Sequence, residues 1–328
     1  MELTFATSIK LLSLSSRGDA NWNESKDVFE HDGPIPRLFK DKLRGGIEVG
    51  IKHWRIERDT AIDRLTPKQL KTVLSAIHSS PGIGDTGDIS HKIFLLRRKD
   101  PDISSPGVVN VITQDVKQKL FKKLMKMRRD QLVDLYEMTS VAPFTRRSAG
   151  VFFEAFCLKD MERHSIHLRL LKMVRLPNKR SQFHSSHEPI TNGELEKERQ
   201  KVADMPECVD IDLEVLKIEY FKPGGDRRLK QNTLYIPESS NEEALDAFFL
   251  HKLCLYILQF TIAETHSIKA LDGLLRYTGC PEKKDWKFVF VIDRSNILKV
   301  PYREYGFDLY SAIMRPEDHH EAKTKSFM

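Results

Sequence analysis

The run Trp286-Lys287-Phe288-Val289-Phe290-Val291-Ile292 is the strongest strand signal in the chain. Aromatic and β-branched side chains suit the pleated surface of a sheet and lose rotamer freedom in a helix, so a sheet has to be built around this segment. Upstream, Leu245-Asp246-Ala247-Phe248-Phe249-Leu250 and Leu255-Tyr256-Ile257-Leu258-Gln259-Phe260-Thr261-Ile262 read as the two strands of a hairpin. Side chains repeat every second residue on a strand, so Gln259 and Thr261 share a face, and Asp246 at the start of the partner strand converges on it. Asp246 has a second reading as a solvated acid on a helix running from Asn241, because Ser240 and Glu243 have capping-box spacing. Gln259 also reads as a satisfied polar group in a buried strand, and Thr261 favours strands on propensity alone.

The chain of 328 residues is long enough for two domains. Residues 1–44 have little periodicity and read as a loosely structured leader. Residues 45–142 read as a small α-rich domain with short strands. In it, 47–56 alternates weakly as a strand, and Thr66-Pro67 opens a helix that continues through Leu70, Val73, Leu74 and Ile77. Short strands follow at 91–98 and 108–112, then Thr113 caps a lysine-rich helix to about residue 128, and Asp130 starts another through Tyr136. Pro143 marks the boundary to a second domain over 143–315, followed by a tail over 316–328. The second domain reads as an amphipathic helix (146–164), a strand carried by Ile166, Leu168, Leu170 and Met173 to Leu176 with 183–190 pairing to it, a polar helix (192–205), and a turn at Pro223-Gly224-Gly225-Asp226. A strand at 232–236, the hairpin, a helix at 267–277 and the strand at Trp286 complete it, giving an α/β domain.

Composition narrows the function classes. Lys and Arg exceed Asp and Glu by 53 to 47, a formal charge of +6, which is compatible with a polyanionic partner without requiring one. The four cysteines are far apart and form no C-x-x-C pair, which points to free, buried thiols and a reducing compartment rather than a disulfide scaffold or zinc site. The first residues lack the charged and apolar regions of a signal peptide. The apolar stretch 244–263 is interrupted by Asp246, His251, Lys252 and Gln259, and each ionised group costs roughly 2.5–3.5 kcal/mol at a bilayer centre, so no membrane span is expected. The lysine-rich helix carries Lys119, Lys122, Lys123 and Lys126; with Arg146 and Arg147 it reads either as a phosphate-contacting patch or as a solvated charged face. Gly82, Gly84 and Gly87 match a G-x-G-x-x-G spacing, but a helix precedes them where a strand is required and Asp85 would repel phosphate, so the run reads as an ordinary loop.

The sequence resembles a known superfamily at these positions. Asp246 followed by Gln259-Phe260-Thr261 resembles the Asp … (Glu/Gln)-x-(Lys/Thr) signature of the PD-(D/E)XK, or restriction-endonuclease-like, nucleases, and the helix with Glu154 resembles their first core helix. The words Ser90-His91-Lys92-Ile93-Phe94, Arg147-Ser148-Ala149-Gly150-Val151-Phe152-Phe153-Glu154 and Tyr256-Ile257-Leu258-Gln259-Phe260-Thr261 … His266 resemble the C-terminal regions of fungal Crinkler-type effectors, related to the retrotransposon-hot-spot proteins. The resemblance covers roughly residues 75–315. It implies a restriction-endonuclease-like mixed sheet flanked by helices, preceded by the smaller, mostly helical domain. It also implies metal-assisted phosphodiester hydrolysis, DNA favoured, in a secreted effector that acts in a host nucleus, or else an inactive module that binds nucleic acid or a host protein. In that mapping Asp246, Gln259, the Phe260 carbonyl and Glu154 hold Mg²⁺. Glu154 reads equally as a solvated helix acid. Gln259 stands where a carboxylate is usual and Thr261 where lysine is usual; Lys269 or Lys252 would then supply the missing cation, and His266 would carry a proton. The nucleotide-hydrolysing module that often precedes this domain in the family is not recognisable.

Overall fold

The computed structural model describes residues 32–33, 47–79, 90–98, 107–141, 145–175, 182–185, 207–221, 228–238, 245–269, 271, 277–293 and 298–315. Expectations for the leader apart from Asp32 and Gly33, for the glycine run at 82–87, the polar helix at 192–205, the turn at Pro223 and the tail fall outside these residues. The chain divides into two compact units, 1–152 and 153–328.

The first unit contains helices α1 (Ile47–Arg64), α2 (Pro67–Ser79), α3 (Ser90–Ile93), α4 (Gln114–Leu124) and α5 (Arg129–Ser140), an antiparallel pair β1 (Phe94–Arg98) and β2 (Gly107–Val111), and the start of α6 (Arg146–Arg163). The segment 47–56, expected as a strand, is helical. Its inward positions, Ile51, Trp54, Arg58, Ile62 and Leu65, recur at the helical period, but one of them is an arginine, which hides the pattern. Arg58 is 2% exposed and is held by Asp32, Asp59 and Asp115 at 2.8–3.1 Å; Asp32, itself fully buried, also binds Arg55 at 2.7 Å. A buried charge persists only when paired in this way. The caps at Thr66 and Thr113 form as expected: Thr66 and Gln69 make a reciprocal pair at 3.2 and 2.9 Å, and Thr113 Oγ1 accepts the Val116 N–H at 3.2 Å. The lysine-rich helix ends at Leu124 rather than near residue 128, because Arg128 already stands at the N-cap of α5. The strand expected over 91–98 begins only at Phe94, after the turn of helix α3.

The second unit is an eight-stranded mixed sheet in the order β6-β3-β13-β11-β10-β9-β8-β7, with a three-stranded sheet β12-β5-β4. The strands are β3 (Ile166–Lys172), β4 (Val174–Arg175), β5 (Gln182–His184), β6 (Cys208–Leu213), β7 (Lys217–Phe221), β8 (Thr233–Pro237), β9 (Ala247–His251), β10 (Cys254–Thr261), β11 (Trp286–Ile292), β12 (Lys299–Pro301) and β13 (Asp308–Ile313). β10, β11 and β13 run parallel at the centre, and β9 folds back antiparallel on β10. An α/β architecture with a large mixed sheet is therefore present. One face of its centre, with Phe248, Ile257, Phe288, Phe290 and Leu309, is the heart of a core that also takes in Ile268, Leu271 and Tyr277 from the β10–β11 connection. Residues 267–269, 271 and 277 of that connection are not helical, contrary to the helix expected there; the rest of that helix lies outside the described residues. Ile268 and Leu271 reach the core without helical backbone. The four cysteines are free, and Cys208 is exposed on β6, so only part of the expected thiol burial is present.

The hairpin closes through a two-residue turn, Lys252-Leu253, with both φ angles in the left-handed region at 46° and 66°. This is the turn whose twist matches the strands, built without the usual glycine, and Leu253 is 78% exposed at its tip. Side chains in that region cost roughly 1–2 kcal/mol each. Replacing Lys252-Leu253 by Asn-Gly should raise the urea midpoint at unchanged slope, by about 1–2 kcal/mol of stability; a lowered midpoint would contradict the turn geometry.

Candidate functional site

β10 pairs with β9 from Cys254 to Leu258 but with β11 as far as Thr261. Gln259, Phe260 and Thr261 therefore run beyond the hairpin partner while remaining buried, at 7%, 6% and 5% exposed. Backbone groups of alternate residues point to the same neighbour, so the Phe260 N–H is the next donor facing the β9 side after the Leu258 carbonyl, which accepts the Asp246 N–H at 3.0 Å. A buried N–H without an acceptor is costly, and the Asp246 side chain supplies one. Its Oδ2 accepts the Phe260 N–H at 2.7 Å and the Gln259 Nε2–H at 2.5 Å. Asp246 and Gln259 thus meet at the open end of the hairpin as the sequence implied, and the alternative of a helix running from 241 through the hairpin is ruled out by β9 and β10.

The remaining expected residues are distributed unevenly about this junction. Thr261 Oγ1 accepts the Ala263 N–H at 3.1 Å, which closes the end of β10. Gln259 is in register with Phe290 on β11, so both side chains lie on one face, and the His266 ring sits 5.6 Å from the Phe290 ring. His266 therefore approaches that face one strand over. Its Nδ1 lies 3.1 Å from the Ser267 carbonyl, an arrangement that places the proton on Nδ1 and leaves Nε2 as an acceptor. Burial pushes the His266 pKa below its ordinary value. Lys269 is exposed nearby in the chain. Lys252 does not belong to this set: it occupies the turn at the opposite end of the hairpin, about 20 Å away at 3.3 Å per residue, beyond the reach of a lysine side chain. Glu154 is half-buried on α6.

The orientation of the Gln259 amide is set against a place in a Mg²⁺ shell. The ion takes oxygen ligands, whereas the carboxylate facing Gln259 fixes the amide with its N–H toward Asp246 and its oxygen away. Oδ2 of Asp246 already receives two N–H groups. Among the described residues, no group of three or more His, Cys, Asp and Glu side chains is arranged to hold a metal ion.

The proposed basic patch also changes character. Lys119 binds Asp59 at 2.7 Å and Asp115 at 3.1 Å, and Lys123 donates to the Asp63 carbonyl, so these two lysines tie α4 to α1. Lys122, Lys126 and Arg146 remain exposed; the Arg147 side chain lies outside the described residues. Sequence reasoning passed over Asp293, which is 8% exposed directly after β11, whose last residue pairs with Thr261. Its signal is positional, because ligand sites of open α/β sheets gather beyond the carboxyl ends of parallel strands.

No family model matches the chain, and no curated protein or solved structure matches it. Among the described residues no helix is long and apolar enough to cross a membrane.

Asp246→Ala should destabilise the protein by about 1–3 kcal/mol, the cost of leaving the Phe260 N–H and the Gln259 amide without their acceptor, and Asp246→Asn should recover part of it in urea titrations. His266 provides a separate handle. Its folded pKa lies below the ordinary 6.5, so the unfolded chain takes up the proton first as pH falls. The stability from the neutral ring is present above that pH and lost below it. His266→Leu should therefore flatten the stability profile between about pH 7 and 5; an unchanged slope would show that the ring does not titrate in this way.

Proposed function

We propose that the second unit is a nuclease-like module of the restriction-endonuclease type that no longer hydrolyses phosphodiesters and instead binds nucleic acid. One observation carries the proposal: Oδ2 of Asp246 is taken by the Gln259 amide and the Phe260 N–H, at 2.5 and 2.7 Å. In the chemistry implied by the sequence resemblance, a cation occupies that position and lowers the pKa of an attacking water. Here two N–H dipoles take the role of the positive charge. Thr261 in place of lysine, and Lys252 at the far end of the hairpin, leave only Lys269 among the proposed replacement cations. The mixed α/β sheet and the convergence of residues 246 and 259 across adjacent strands support descent from a nucleic-acid enzyme. The same resemblance would place that partner in a host nucleus.

The test uses the purified full chain with single- and double-stranded DNA and RNA. Wild type and Asp246→Ala should be equally inactive with Mg²⁺, and both should bind with an affinity that falls steeply with salt and is indifferent to the metal. Mg²⁺-dependent cleavage by the wild type that Asp246→Ala abolishes would overturn the silent-module reading. Failure to bind any nucleic acid even at about 50 mM salt would remove nucleic acid as the partner and leave a protein contact. Gln259→Glu adds a check on ancestry: two carboxylates should lower the melting temperature, and Mg²⁺ should restore it in the variant while leaving the wild type unmoved.

A further inference from the structure

The three-stranded sheet carries a layered planar group that the candidate site does not use. Arg175 on β4 and Phe183 on β5 are in register, and both meet Tyr302, the residue after β12. The Arg175 guanidinium lies 3.9 Å from the Tyr302 ring centroid, and the Phe183 ring lies 5.3 Å from it at 37°. Exposure rises through the group: Phe183 is half-buried against the core, Tyr302 is 37% exposed and Arg175 is exposed. Tyr302 is the one aromatic among the large hydrophobic side chains that stand exposed in the described residues. The adjoining charges are Lys299 and Arg303 on one side of the balance and Glu264 and Glu304 on the other, so with Arg175 cations lead.

Position adds to the chemistry. Lys299 bridges to Thr265 and its carbonyl accepts the His266 N–H at 3.0 Å. The strand that presents Tyr302 is thereby fastened to the segment that lays His266 over Phe290, the register neighbour of Gln259. The layered group is thus joined through β12 to the segment that carries His266.

We propose that the exposed Arg175 guanidinium, laid over the Tyr302 ring and backed by Phe183, is a stacking platform for an unpaired base of a single-stranded nucleic acid. The inference rests on the nucleic-acid reading above and sharpens it. A ring and a guanidinium both offer flat surfaces that accept any base, and the cations beside them meet the phosphates. Bases inside a duplex have both faces covered by their neighbours, so a platform one ring wide selects single strands.

The experiment is fluorescence anisotropy of the full chain with a labelled oligo-dT of about 15 nucleotides and with a duplex of equal length, across a salt series, with melting temperatures recorded for every variant. Tyr302→Leu keeps the apolar contact with Phe183 and removes the π surface. It should weaken oligo-dT binding about tenfold, with the salt slope and duplex binding unchanged, and Tyr302→Trp should retain the affinity. Arg175→Ala should weaken binding and also lower the salt slope. Equal oligo-dT affinity for wild type and Tyr302→Leu, with the salt slope intact, overturns the platform and leaves the nucleic-acid reading standing. Absence of wild-type binding to either oligonucleotide overturns that reading, and the platform with it.

Discussion

A strand buried on both sides cannot leave its amide groups to water, and the last three residues of β10 outrun the strand that should pair with them. β9 supplies five register partners and β11 seven. The shortfall at the open end of the hairpin is met by side chains: Asp246 for the Phe260 N–H and Thr261 for the Ala263 N–H. The local chemistry follows from that requirement. A carboxylate was recruited to a place where a backbone acceptor is missing, next to the carboxyl ends of three parallel strands where α/β sheets hold their ligands.

What that carboxylate does next depends on residue 259. A glutamate there would set two negative groups side by side, a state that a divalent cation stabilises. An amide turns its N–H toward Asp246 and donates to Oδ2. The two arrangements differ by one oxygen-for-nitrogen exchange at residue 259 and share the same backbone. The charge-assisted hydrogen bonds that result are short, and they fix the register between the start of β9 and the end of β10.

The centre of the fold was legible in the sequence and its periphery was not. The strand over Trp286–Ile292 and the meeting of Asp246 with Gln259 follow from β-branched and aromatic runs with period two. Helix α1 was read as a strand because one of its buried positions is Arg58, an ionised group held there by Asp32, Asp59 and Asp115, and a pattern of apolar residues cannot register it. The connection after β10 has the apolar spacing of a helix, yet Ile268 and Leu271 reach the core from irregular backbone. Charge runs misled in a different way. Lys119 and Lys123 sit in a lysine-rich helix that invites a phosphate reading, but three-dimensional neighbours on α1 have taken both of them. Asp293 escaped notice because nothing in its neighbours distinguishes it; only strand adjacency does.

The sheet is open, so β6 is one of its two borders. Its outward side chains include Asp210 and Asp212, which hold His167 of the neighbouring strand at 3.4 and 2.8 Å, and Cys208, which accepts a hydrogen bond from Arg169. Alternate residues of β6 carry their charges away from the core. Two such borders brought together would confront like charge with like charge, and neither would offer a greasy strip for the other to grip. Among the described residues, this border is thereby guarded against pairing with a copy of itself.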